Sequence, residues 1–235
     1  MLTINHLSKT YKNGKKAVDD VSLEVKSGDI YGFIGHNGAG KSTTIKAIVG
    51  VHDFEGGEIF IDGHNVKKEP VACKQVTAYI PDNPDLYEHL TGITYLNFIA
   101  DIFKVPSSFR KERIEKYAEA FEITDALPEL ISSYSHGMKQ KLALISALIH
   151  EPKLLVLDEP FVGLDPKASI LLRQFMKELC DKGSAIFFST HVLEVAQKLC
   201  NKVAIIREGK IILSGTMESV IADKSLEDVF MEGIK

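Results

Sequence analysis

Cysteine, long apolar runs and excess positive charge are all scarce in this 235-residue chain. Its three cysteines, Cys73, Cys180 and Cys200, are odd in number and include no C-x-x-C pair. A disulfide framework or thiolate metal set is therefore not expected, and the three should be reduced and packed as small apolar residues. No stretch approaches the ~18 uninterrupted apolar residues that span a bilayer. Met1 to His6 lacks the basic and apolar regions of an export leader, so the protein is expected to stay in the cytosol unless a partner holds it elsewhere. A formal charge of -4 and an isoelectric point near 6.1 give no electrostatic reason to expect a nucleic-acid partner. There is no internal repeat and no low-complexity tract. The balance, 45% hydrophobic and 26% charged, is ordinary, and the length suits one large α/β domain with a substantial core.

What is present is a glycine-rich run between an apolar stretch and a helix-forming one. Gly35 to Ser42 fits the phosphate-binding spacing G-x-x-x-x-G-K-[ST], after the apolar Ile30 to Ile34 and before a helix reaching to about Gly50. Glycines 35, 38 and 40 are expected to take positive φ, so that successive N–H groups converge on phosphate oxygens without a Cβ in the way. His36, Asn37 and Ala39 fill the other loop positions and Thr43 follows. Lys41 can reach terminal phosphates, the Ser42 hydroxyl suits Mg²⁺, and the positive end of the next helix points at the same place. The expected ligand is a nucleoside triphosphate.

The remaining chain alternates in a way that builds around this loop. Leu2 to Leu7 and Val18 to Val25 have a period of two and flank the turn Lys12-Asn13-Gly14-Lys15, which predicts an antiparallel hairpin. Glu58 to Ile61 is another short alternating strand, in a sheet distinct from the parallel one. Val76 to Ile80 reads as a strand broken by Pro81 and Pro84. From there to about His150 the period is helical, with Ile114, Tyr117, Ala118 and Phe121 on one face and a start at Pro106-Ser107-Ser108. Leu154 to Leu157 is wholly apolar, as a parallel strand covered on both faces should be. A helix over Pro166 to Cys180, a strand over Ala185 to Ser189, a helix over Val192 to Leu199 and a strand over Val203 to Ile206 continue the alternation. Glu208-Gly209-Lys210 turns into Ile211 to Leu213, and a small helix with a loose tail ends the chain.

Ligands of open parallel sheets bind at the carboxyl ends of strands, which puts Asp158 and Glu159 at the edge of the phosphate loop. Asp158 is placed to hold Mg²⁺ through water, and Glu159 to orient or deprotonate the water that attacks a γ-phosphate. His191 also ends a strand, where an imidazole can hydrogen-bond the γ-phosphate. A lone histidine is as often a surface residue.

Taken in order, Gly35 to Thr43, Tyr134-Ser135-His136-Gly137-Met138-Lys139-Gln140, Leu154 to Pro160, Gly163-Leu164-Asp165-Pro166 and Ser189-Thr190-His191 resemble the ATP-binding subunit of an ABC transporter. The resemblance covers essentially the whole chain. It implies an α/β fold, a P-loop NTPase core with a mostly parallel sheet, a small antiparallel β subdomain and a helical insert. The chain would be a single ABC-type ATPase domain, with core 1–82 plus 152–235 and helical subdomain 83–151. ATP and Mg²⁺ are the implied cofactors, with Lys41, Glu159 and His191 catalytic and Tyr11 stacked on adenine. Two subunits, identical or different, would clamp ATP head to tail, Ser135 and Gly137 of one meeting the γ-phosphate held by the other, with Asp165 at the interface. Transmembrane permease subunits are the implied partners, docked near Leu86, Tyr87 and Leu90 on the inner face of the cell membrane.

Departures from the family pattern matter. Its signature usually reads Leu-Ser-Gly-Gly-Gln, and here Tyr134, His136 and Met138 stand at three of those five positions. The glutamine that normally ligates Mg²⁺ aligns with Asp82, and a carboxylate suits a hard cation. Met138-Lys139-Gln140 resembles the exporter-like branch that handles drugs, peptides or sodium. Two rival readings follow from the same residues: a soluble ABC-type ATPase acting on ribosomes or DNA, and a nucleotide-gated interaction module with little hydrolysis.

Overall fold

The computed structural model describes residues 1–232; the expected tail over residues 233–235 lies outside the described residues. In chain order the first elements are β1 (Leu2–Thr10), β2 (Lys16–Val25), β3 (Ile30–Ile34), α1 (Lys41–Ile48), β4 (Gly56–Ile61) and β5 (His64–Asn65). Then come α2 (Pro70–Val76), β6 (Thr77–Ile80), α3 (Gly92–Ile102), α4 (Ser107–Ala120) and, after short 3₁₀ turns, α5 (His136–Leu148). The last are β7 (Leu154–Asp158), α6 (Pro166–Asp181), β8 (Ala185–Thr190), α7 (Leu193–Leu199), β9 (Lys202–Arg207), β10 (Lys210–Thr216), α8 (Met217–Ile221) and α9 (Leu226–Glu232).

The expected separation into two sheets is observed. One has the order β2-β1-β4-β5 and is antiparallel, with Leu2 opposite Val25 and Ile4 opposite Ile59 on β1's other side. The other has the order β10-β9-β3-β8-β7-β6, parallel except for its edge strand β10. The apolar run of β7 is explained by burial on both faces. Leu155 and Leu157 pack with Ile186, Phe188 and the helices α3 to α9, while Leu154 and Val156 pack with Phe187, Ile45 and the antiparallel sheet. Because side chains alternate, Asp158 emerges on the face that α1 covers.

The helical stretch before His150 is as expected: Ile114, Tyr117, Ala118 and Phe121 are buried on one face of α4 and at its end. Two expectations need correction. The segment before β6 is helical through Val76, because Pro70 sits in the first turn of α2, where its missing N–H and fixed φ suit a helix start. Of the three proposed docking residues, Leu86 is buried and Leu90 packs on the core, leaving Tyr87 exposed. Cys73 and Cys200 are buried free thiols, and burial pushes the Cys180 thiol up to about 12. Among the described residues no helix is long and apolar enough to cross a membrane.

Candidate functional site

The phosphate loop joins β3 to α1, and Gly40 caps the helix with φ 112° while Gly38 has φ 81°. A Cβ on Gly40 would lie 2.4 Å from the Ala17 carbonyl oxygen. No other residue fits there. Gly35 corrects the expectation for all three glycines: its φ is not positive, and glycine is required because a Cβ would meet the Ile206 carbonyl oxygen at 2.5 Å. The Ala39 carbonyl accepts a bond from Gly209 N–H at 2.9 Å, so the β9–β10 turn braces the loop from behind.

Lys41 is buried, and its Nζ donates to the Gly35 carbonyl at 2.7 Å. The same ammonium lies 3.3 Å from Glu159 Oε1, an ion pair in which that oxygen is buried and accepts no hydrogen bond. Glu159 stands just beyond β7 with φ 49°, a left-handed conformation that costs a non-glycine residue about 1–3 kcal/mol and that persists only where surroundings enforce it. The enforcement is visible. Ser189 Oγ donates to Asp158 Oδ1 at 2.5 Å and accepts from Glu159 N–H at 3.0 Å, so one hydroxyl fixes the Asp158 carboxylate and the Glu159 main chain. His191 completes the set, with Nδ1 2.9 Å from Glu159 Oε2 and its backbone N–H donating to the same oxygen at 3.3 Å.

Around these groups lies a cleft of ≈ 270 Å³. His36, Asn37, Gly38, Gly40, Lys41, Ser42 and Thr43 form its floor, with Tyr11, Asp82 and Glu159 on its walls. The Tyr11 hydroxyl is hydrogen-bonded to Thr43 Oγ1 at 3.0 Å, and its ring meets His52 edge-on at 6.1 Å. Gly35 and Ala39 are buried beneath the loop, Asp158 lies behind Glu159, and His191 reaches the cleft only through Glu159. Ser135, Gly137 and Asp165 do not line it. Ser135 instead caps α5, accepting from Met138 N–H at 3.3 Å, and it is exposed. Asp165 caps α6, accepting from Ala168 N–H at 2.8 Å, and pairs with Lys141 of α5 at 2.8 Å; that ammonium holds its carboxyl below the ordinary aspartate range. The two caps lie close together, since a Cβ on Gly137 would sit 3.6 Å from the Gly163 carbonyl.

The residues present suit a polyphosphate with a hard cation. The glycine cradle admits only backbone, and the buried, hydrogen-bond-free Glu159 Oε1 faces the loop's ammonium. Ser42 and Asp82 offer oxygen donors in the same cleft, as suits Mg²⁺, which takes few protein ligands and completes its octahedron with phosphate oxygens and water. Three participants were not singled out from sequence. Ser189 and Gln140 were visible only as parts of motifs; Lys15 lines the cleft from the β1–β2 turn, and buried Gln140 donates to the Asp82 carbonyl at 3.2 Å.

A family model described as ABC transporter matches residues 18–162. The ABC transporter ATP-binding protein NatA of Bacillus subtilis (strain 168) is 33% identical over 233 residues, 97% of this chain and 95% of that protein. The uncharacterized ABC transporter ATP-binding protein YhcH of the same organism is 36% identical over 215 residues, 90% of this chain and 70% of that protein. A solved ATP-binding subunit of an ABC transporter superposes with TM-score 0.96 at 34% identity, covering 100% of both chains. With cradle, paired carboxylates and histidine gathered around one cleft, the chain belongs to the ABC transporter family as an ATP-binding subunit, an ATP hydrolase that works with Mg²⁺.

Proposed function

We propose that this chain is the motor subunit of a transporter whose membrane-spanning permeases are separate proteins, and that it exports its substrate. The observation that carries the dimeric mechanism is that the N-terminus of α1 lines the chain's own cleft and that of α5 does not. The other, capped by Ser135, is exposed and thus available to the γ-phosphate held by a second subunit. The whole chain works as one ABC-type ATPase domain, 1–82 and 152–235 forming the core and 83–151 the helical subdomain.

In this reading the loop N–H groups from Gly35 to Thr43 and the Lys41 ammonium bind the phosphates, while Ser42, Asp82 and Asp158 hold the cation directly or through water. Mg²⁺ supplies Lewis-acid polarisation of the phosphoryl oxygens when bound. Glu159 orients the attacking water and takes its proton. His191 keeps the Glu159 carboxylate aimed and meets the γ-phosphate. Tyr11 stacks on adenine, and Asp165 fixes the loop that faces the partner subunit.

The permease sits against Tyr87, an exposed ring that meets exposed Phe98 at 5.7 Å, and the chain works at the inner face of the cell membrane. Outward transport rests on Met138-Lys139-Gln140 in the signature helix. Tagged protein recovered from membranes in mild detergent should bring a multi-span permease with it. Reconstituted in vesicles with the ATPase outside, the complex should accumulate substrate in the lumen. Recovery without any membrane-spanning protein contradicts the motor reading, and ATP-driven loss of substrate from the lumen contradicts export.

A further inference from the structure

The second position of the phosphate loop is occupied by an exposed histidine, and its ring is not free. His36 and Phe230 have ring centroids 4.8 Å apart at an interplanar angle of 58°, a favourable aromatic pairing. Phe230 lies on α9 and is itself buried, packed in the core with Met217, Val220 and Leu199. The His36 main chain matters as much as its ring. Its carbonyl lies 3.4 Å from Lys41 Nζ, beside the Gly35 carbonyl that accepts from the same ammonium.

The other end of α9 is tied to the histidine side of the site. Leu226 N–H donates to Gln197 Oε1 at 2.9 Å, and Gln197 is on α7, the helix that begins two residues after His191. The C-terminal helix thus touches both the phosphate loop and the element that follows the histidine bonded to Glu159. We propose that Phe230 is a positioning residue for ATP binding: it fixes the His36 ring, and through it the loop backbone on which Lys41 rests. Disturbing α9 then weakens the grip on phosphates at a distance from the cleft.

The inference rests on the cradle being the ATP site, and a double-mutant cycle separates the two claims. Phe230→Leu keeps an apolar side chain in the core and removes the ring; His36→Ala removes the other partner. Affinity for Mg-ATP is measured for the parent, both single variants and the pair, with thermal melts to verify folding. Each single variant should bind Mg-ATP about two- to tenfold more weakly, and the pair no more weakly than the worse single. Binding of AMP, which lacks the terminal phosphates, should change less. Parent-like affinity in Phe230→Leu, or fully additive losses in the pair, overturns the positioning role. If Lys41→Ala binds Mg-ATP as the parent does, it is the cradle assignment that fails, whatever the cycle gives.

Discussion

Glu159 Oε2 lies 2.9 Å from His191 Nδ1, while its other oxygen faces the Lys41 ammonium at 3.3 Å. One carboxylate therefore divides itself between a histidine that can hold it and a cation that phosphate can draw away. In the proposed mechanism, arrival of a triphosphate would give Lys41 a stronger anion to pair with and leave Glu159 Oε1 open to water.

Removing the cation tests the first half of that exchange. Lys41→Ala should lower Mg-ATP turnover by about a hundredfold or more, since a group aimed at developing phosphoryl charge is worth that much. A phosphate-release assay measures it, and turnover within a factor of two of the parent would refute the assignment.

Removing the histidine tests the second half. His191→Ala should lower kcat by about a hundredfold with little change in the ATP concentration at half-maximal rate, because Glu159 loses its aim while the loop is untouched. A raised half-saturating ATP concentration with kcat unchanged would mean that His191 serves binding rather than the chemical step.

Asp82 distinguishes this chain from the family pattern. Replacing it with alanine should raise the Mg²⁺ concentration needed for half-maximal turnover about tenfold, by analogy with the loss of other metal-orienting groups. Titrating Mg²⁺ at fixed ATP reads this, and an unchanged midpoint would remove Asp82 from the metal set.

His150 supplies a stability prediction away from the cleft. It stacks on Phe103 with ring centroids 3.7 Å apart, and burial, helped by the Arg113 charge, lowers its pKa from 6.5 to about 4. Between those values the unfolded chain binds the proton and the folded one does not, so stability is complete above pH 6.5 and falls as pH drops toward 4. The loss at this site reaches about 3 kcal/mol at most. Urea midpoints at pH 7.5 and 5 should diverge in the parent and diverge less in His150→Phe; equal divergence would mean that His150 is not responsible.

Local chemistry made much of this legible in the sequence. A G-x-x-x-x-G-K-[ST] run has few places to go other than between strand and helix, and the continuous apolarity of Leu154 to Leu157 announced a strand covered twice. What stayed hidden depended on distant parts of the chain meeting. Gly35 is glycine because of Ile206, and Gly40 because of Ala17, contacts that no local pattern encodes. The left-handed Glu159 is held by Ser189, thirty residues along the chain, and a glutamate gives no local hint of positive φ. Helix α2 was missed because only seven residues form it, too few for a period to emerge.

The joint grip on ATP is tested most directly by sedimentation of Glu159→Gln protein with and without saturating Mg-ATP. With the carboxylate proposed to activate water made neutral, bound ATP should persist and hold two subunits together, giving a dimer with nucleotide and a monomer without it. A Glu159→Gln protein that is saturated with Mg-ATP and still sediments as a monomer would contradict the shared site.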